Sequence, residues 1–201
     1  MSKWHSLFQH PDYEIEIKGL KVVVKKGVFT PDPGVTNSSK IILDNLTDVR
    51  DKDILDIGTG SGVIALYSAF HGAKRVVATD VDDKALDNTK ENVKRYCLED
   101  RVEVVRSNLF DNVNGMFDYV VANLPILDEA WNIEQPTTSL MERFLSQSPG
   151  FVKPGGKLYF AWASFSDAGP VKDLCKKQGY DFKVISERKL GYTWHLFKVA
   201  F

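Results

Sequence analysis

The chain has 201 residues, 43% of them hydrophobic and 26% charged, values that suit one folded domain with a full core and exclude a disordered segment. Twenty-six Lys and Arg oppose 27 Asp and Glu, so the net charge of −1 gives no global attraction to nucleic acid, although a local basic patch stays open. Cys97 and Cys175 make no disulfide framework, and His5, His10, His71 and His195 are too scattered for a metal site; there is no membrane-length apolar run, and the polar start MSKWHSLFQH is no signal peptide, so a cytoplasmic protein with reduced thiols is expected.

Residues 1–30 read as an N-terminal β extension, and 31–201 as the main domain. YEIEI at 13–17 alternates apolar and charged residues, Gly19 follows, and 20–24 is apolar again, which predicts a hairpin or edge strands. Lys18, Lys21, Lys25 and Lys26 make this stretch basic, either as a solvated edge or as a substrate-facing patch. GVFTPDPGVTNSS at 27–39 is an ordered loop whose last Ser, Thr and Asn residues suit the cap of a helix over 40–46. DILDI at 53–57 is a buried strand, and Val63, Ile64, Leu66 and Tyr67 resume at helical spacing. RVVATD at 75–80 is the second strand of a βαβ unit. A helix starts at Asp82 or Asp83 and runs to about Cys97, with Ala85, Leu86, Thr89 and Val93 on its buried face and Asp87 and Asn88 in solvent. Strands follow at 102–106 and 117–123, a helix around 140–145, a strand at 157–163, a short helix at 170–178, and strands at 182–185 and 194–199. Alternating strands and helices imply a doubly wound, mostly parallel α/β sheet that ends in an antiparallel hairpin.

Two motifs carry chemistry. The first is Asp56-x-Gly58-x-Gly60-x-Gly62, at the junction of the first buried strand and its helix. Glycines there allow positive φ and let a ligand lie against bare backbone, facing the positive end of the next helix. Asp80 ends the following strand 24 residues later, where a carboxylate can accept both hydroxyls of a ribose. The spacing is not that of the dinucleotide fingerprint, whose third glycine would fall on Val63. The second motif, Asn123-Leu124-Pro125-Ile126, directly follows the fourth strand. In open α/β sheets the crevice lies beyond the carboxyl ends of the strands, where strand order reverses, so both motifs should share one crevice.

From Gly27 to Phe201 the chain resembles the class I S-adenosylmethionine-dependent methyltransferases of the small-domain type. That resemblance implies seven strands in the order 3-2-1-4-5-7-6, the seventh reversed, and S-adenosyl-L-methionine as cofactor. It places Phe29 and Thr30 beside the cofactor and Thr36 near its methionine end. Asp56, Gly58, Thr59, Gly60, Gly62, Asp80 and Val81 would follow the family's cofactor motif. Asn108, with Leu109, would stand where a polar residue meets the adenine amino group. Asn123–Ile126 resembles the (D/N)-P-P-(Y/F/W) motif of enzymes that methylate planar, NH2-bearing nitrogens. There the Asn123 side chain and the Leu124 carbonyl would bind the two N–H bonds, while Pro125 keeps Leu124 extended. Leu124 replaces a proline and Ile126 replaces the aromatic ring, which Phe29 or Trp131 would then have to supply. Asp128 and Glu129 are weaker candidates for meeting a substrate amine.

The expected acceptor is an RNA base of the guanine-N2 type, with a protein glutamine as the alternative and a non-catalytic, cofactor-binding partner subunit as the third. An RNA enzyme requires a basic surface at the Asn123 crevice, built partly from the four lysines; a glutamine enzyme requires a less charged slot.

Overall fold

The structure, a computed structural model, describes residues 7–126 and 137–201. Asp128, Glu129 and Trp131 lie outside the described residues. The N-terminal expectation resolves as a hairpin. β1 (Tyr13–Ile17) and β2 (Leu20–Val24) pair antiparallel around Lys18 and Gly19, which have φ of 53° and 76°. Two successive positive φ values match the twist of a tight hairpin.

The remaining elements are α1 (Ser38–Asn45), β3 (Asp53–Ile57), α2 (Val63–Phe70), β4 (Arg75–Asp80), α3 (Asp83–Arg95), β5 (Val102–Arg106), β6 (Phe117–Ala122), α4 (Thr137–Gln147), β7 (Val152–Ala163), α5 (Gly169–Lys177), β8 (Asp181–Lys189) and β9 (Tyr192–Ala200). The seven-stranded sheet has the order β5-β4-β3-β6-β7-β9-β8. β3 pairs parallel with β4 and β6, and β9 runs antiparallel to both β7 and β8. This is the order the family resemblance implies, with strand direction reversed in β9 alone.

β3 and β6 are the middle of the sheet, and Ile54, Leu55, Val120, Val121 and Ala122 are fully buried because helices cover both faces. The hairpin contributes Ile15, Ile17, Leu20, Val22 and Val24 to the same core. Among the described residues, no helix is long and apolar enough to cross a membrane, and no group of three His, Cys, Asp or Glu could hold a metal ion.

Several boundaries differ from the sequence expectation. α1 begins at Ser38, and Asn37 before it makes no side-chain cap; its Nδ2 donates instead to Glu187 Oε2 on β8 at 3.1 Å. Toward their shared turn, β8 runs four residues and β9 two residues further than apolarity suggests. The polar stretch Ser186–Lys189 stays in register with Tyr192–His195 because β8 is an edge strand, where outward residues meet water. Leu190 and Gly191, at φ 55° and 81°, close that turn. Asn88 is the clearest correction. Expected in solvent, it is buried, because α3 packs on β2 as well as on the sheet. Asp87 beside it is exposed as expected.

Candidate active site

β3 ends at Ile57 and β6 at Ala122, and these two residues are register partners. The next residues, Gly58 and Asn123, therefore leave the sheet side by side. A Cβ added at Gly58 would lie 3.3 Å from Leu124 Cδ2 and 3.8 Å from the Asn123 carbonyl, so the first glycine is fixed by the close passage of the second motif. A cleft of about 910 Å3 opens here, beyond the carboxyl ends of the strands.

The floor of the cleft is Gly58, Thr59 and Gly60. Gly58, Gly60 and Gly62 have φ of 71°, 59° and 82°, the left-handed region where a side chain is strained. A Cβ at Gly60 would meet nothing within 4 Å, so this main chain faces open space. Gly58 N and Thr59 N both donate to Thr79 O at 2.9 Å, which ties the turn to β4. Asp80 ends β4 on the cleft wall; its Oδ2 accepts from Gly60 N and its Oδ1 from Asp82 N, both at 3.0 Å. Each oxygen keeps a further lone pair for a ligand hydroxyl. Burial pushes the Asp80 carboxyl above the usual range, while the hydrogen bonds from Asp82, Gly60 and Val81 pull it back.

Val81 stands on the same wall, 56% exposed, an apolar surface beside the Asp80 carboxyl. Asn108 and Leu109 face it from beyond β5. Leu109 is buried at φ 53°, a strained conformation for a non-glycine, and Ser107 Oγ holds it by donating to Leu109 O at 2.9 Å. Backbone floor, ribose-type acceptor and apolar wall fit a nucleoside group.

Five expected contact residues lie behind the walls. Asp56 is fully buried beneath the turn; its Oδ2 accepts from Thr59 Oγ1 at 2.7 Å and from Ala65 N at 3.2 Å. It shapes the turn and takes the Thr59 hydroxyl proton. Burial pushes its carboxyl up to about 7. Gly62 faces α3, where a Cβ would lie 2.9 Å from Thr89 Cγ2; helix packing demands this glycine. Thr30 and Thr36 are buried and bond each other, Thr36 Oγ1 donating to Thr30 O at 3.3 Å. Ile126 packs into the core at 6% exposure.

Asn123, Leu124 and Pro125 line the cleft, and so does Phe29. Asn123 Nδ2 donates to Ser39 Oγ at 3.1 Å, which leaves Oδ1 as the acceptor. The Phe29 ring lies 5.9 Å from that of Phe8, another cleft residue. Phe8, Ser39, Ser61 and Arg143 escaped the sequence reading. Ser39 read as one of several capping residues, Ser61 is an unassigned position of the first motif between Gly60 and Gly62, and no local pattern marks Phe8 and Arg143, which arrive from distant elements.

A glycine-floored cleft at the switch point of this strand order, with an acid closing the next strand, is the architecture of the class I methyltransferases. Within that class the chain belongs to the methyltransferase small domain family, whose model matches residues 19–189. S-adenosylmethionine is its cofactor. The chain is 30% identical over 190 residues to a Methanocaldococcus jannaschii protein provisionally named protein N5-glutamine methyltransferase, covering 89% of this chain and 93% of that one. It is 34% identical over 116 residues to the ribosomal RNA small subunit methyltransferase C of Escherichia coli, covering 57% of this chain and only 33% of that one. The solved 16S rRNA N2 G1207 methyltransferase of T. thermophilus shares the fold at a TM-score of 0.69 and 22% identity, over 92% of this chain and 49% of that one.

Replacing Asp80 by Ala removes the carboxylate expected to accept the ribose hydroxyls, and with it the anchor of Gly60 N. Affinity for S-adenosylhomocysteine is expected to fall by about 1–3 kcal/mol. Unchanged affinity in calorimetry removes Asp80 from that role.

Proposed function

We propose that the protein transfers a methyl group to a planar, NH2-bearing nitrogen, and that the acceptor is the carboxamide of a protein glutamine. The observation that carries the reaction type is the Asn123 amide, on a cleft wall shared with Gly58 and tethered through Nδ2 to Ser39 Oγ, which leaves Oδ1 as its acceptor. The cofactor supplies an electrophilic sulfonium methyl. A carboxamide nitrogen is a poor nucleophile because its lone pair is delocalised. Accepting one N–H at Asn123 Oδ1 and the other at the Leu124 carbonyl fixes the amide plane and turns the lone pair toward the methyl. With the cofactor bound, the nitrogen would take the methyl as the sulfur–carbon bond breaks, the sulfur would keep that electron pair, and the nitrogen's displaced proton would pass to water.

Charge supports protein over RNA as the acceptor. None of Lys18, Lys21, Lys25 and Lys26 lines the cleft. Lys18 is paired with Asp44, and Lys25 with Asp12 at 3.2 Å and Glu91 at 3.0 Å. Exposed pairs of this kind add little stability, but they cancel the positive potential that phosphates would seek. The charged residues on the described cleft walls are Asp80, Asp82 and Arg143, a slot with little positive charge. The near full-length match to the M. jannaschii protein points the same way.

One observation favours the RNA reading. Arg143 borders the cleft with no ion-pair partner among the described residues, and a guanidinium there suits a phosphate. The test is to incubate the protein with methyl-labelled cofactor and a cell extract, then to sort the label. Label recovered as N5-methylglutamine after proteolytic digestion of the protein fraction, and as methylamine after its acid hydrolysis, is the expected result. Label confined to RNA overturns the acceptor. Binding of S-adenosylhomocysteine with no label in any pool overturns the enzyme reading in favour of a partner subunit.

A further inference from the structure

The polar face of α3 does something the reaction does not by itself require. Asn88 and Asn92 are four residues apart, and Thr89 lies between them, so all three share one side of the helix. All three are buried. Thr89 Oγ1 donates to Gly60 O at 3.0 Å, and Asn92 Nδ2 donates to Ser61 O at 2.9 Å. Those two carbonyls belong to the glycine turn on which the cofactor lies.

The same face holds β2. Val23 N donates to Asn92 Oδ1 at 2.9 Å, and Asn92 Nδ2 returns a bond to Val23 O at 2.7 Å. Lys25 N donates to Asn88 Oδ1, and Asn88 Nδ2 to Val23 O, both at 2.9 Å. Among the described residues β2 has only β1 as a strand neighbour, and on its other edge these side chains stand in for a strand. Soon after β2, Gly27, Val28, Phe29 and Pro31 form part of the cleft wall, a segment called the strap below.

Asn92 is the point where the two sets meet. Both of its Nδ2 hydrogens are used, one toward the strap's strand and one toward the turn, and Oδ1 takes the third bond. A buried amide with every hydrogen-bonding group engaged holds both partners at fixed distance, because moving either leaves a polar group unpaired.

We propose that Asn92 is a positioning residue that ties the strap on the cleft wall to the cofactor-binding turn, so that holding the cofactor and holding the strap reinforce each other. Reciprocity follows from linkage: a ligand that steadies the turn must steady β2, and a steadier β2 must favour the ligand. The proposal concerns cofactor binding and is independent of which acceptor is methylated.

The amides of Val23 and Lys25 report directly, because their hydrogen-bond acceptors are the two asparagine side chains. In the wild-type protein, saturating S-adenosylhomocysteine is expected to slow hydrogen exchange at both amides by roughly tenfold or more. Asn92→Asp keeps the shape and the acceptor but loses both donors, and it sets a carboxylate against two carbonyls. It should bind S-adenosylhomocysteine roughly tenfold more weakly, and the residual binding should no longer protect Val23 and Lys25. Asn88→Ala, which loosens β2 and leaves the Ser61 bond in place, should lower that protection with a smaller loss of affinity. Val199→Ala, a core truncation on β9, serves as a control for general loss of stability and should leave the cofactor-dependent protection intact. Should S-adenosylhomocysteine bind the wild-type protein without slowing exchange at Val23 and Lys25, the coupling does not exist. Affinity of Asn92→Asp within about twofold of wild type, or an equal loss in Val199→Ala, overturns it as well.

Discussion

Asn123→Ala is expected to lower the rate of methyl transfer by roughly 10²–10³-fold, the range found when a single positioned polar group is removed from a reacting centre. Cofactor affinity should change little, because alanine keeps the backbone that passes Gly58 and removes only the amide. The distinction matters for the assignment. A residue that only supports the fold would lose stability and affinity together, whereas a residue that aims a nitrogen lone pair should lose turnover alone. Asn123→Asp keeps an acceptor oxygen but loses the donor to Ser39 Oγ, and it should fall between alanine and wild type. Single-turnover kinetics with a glutamine-containing acceptor, set beside calorimetry with S-adenosylhomocysteine, separate the two quantities. An Asn123→Ala protein that transfers methyl at the wild-type rate ends the role given to this residue.

The second large effect concerns Asp56 and pH. Its carboxyl is fully buried, Oδ2 holds Thr59 and Ala65, and Oδ1 has no hydrogen-bond partner. Burial raises its pKa to about 7, and the Asp80 charge adds to the rise; the bonds from Thr59 and Ala65 act against it. The native state therefore binds this proton more tightly than the unfolded chain, whose value lies near 3.8. Unfolding releases the proton at pH values between the two, so this group's contribution to stability is greatest below the unfolded value and falls as pH rises toward 7. Three pKa units correspond to about 4 kcal/mol.

Asp56→Asn carries no titrating proton at this position and should lose that slope. Its amide oxygen can still accept from Thr59 and Ala65, while its NH2 group stays unpaired, a cost that does not vary with pH. Relative to wild type, the variant should therefore gain several kcal/mol between pH 4 and pH 8. Urea unfolding of both proteins at the two pH values measures this, and the difference between them cancels the titrating groups that are not coupled to Asp56 as Asp80 is. An equal stability difference at both values would mean that Asp56 is ionised in the folded protein throughout.

How much was legible without coordinates differs between the fold and the site. The strand–helix alternation, the glycine turn and Asp80 could be read directly because each depends on near neighbours. A buried strand shows as an apolar run, positive φ demands glycine, and a strand end followed by a helix start is marked within a few residues. Asn123 was equally visible, directly after a strand. The four lysines of the hairpin were visible too, but their meaning was not, since Asp44 and Glu91, which pair with Lys18 and Lys25, come from α1 and α3.

The identity of the elements and of the two motifs was thus settled by the order of the amino acids alone, because local sterics and hydrophobic periodicity are properties of short stretches. Tertiary structure alone decided which members of those motifs reach the cleft. Gly62 turned out to be reserved for Thr89, Asp56 for the inside of the turn and Ile126 for the core. It also turned Asn88 from an expected surface residue into a buried partner of β2, and made the neighbouring Asn92 a buried tie between β2 and the glycine turn. A side chain's partner depends on where distant segments pack, and hydrogen-bonding groups of the same chemistry serve a ligand in one setting and a neighbouring backbone in another.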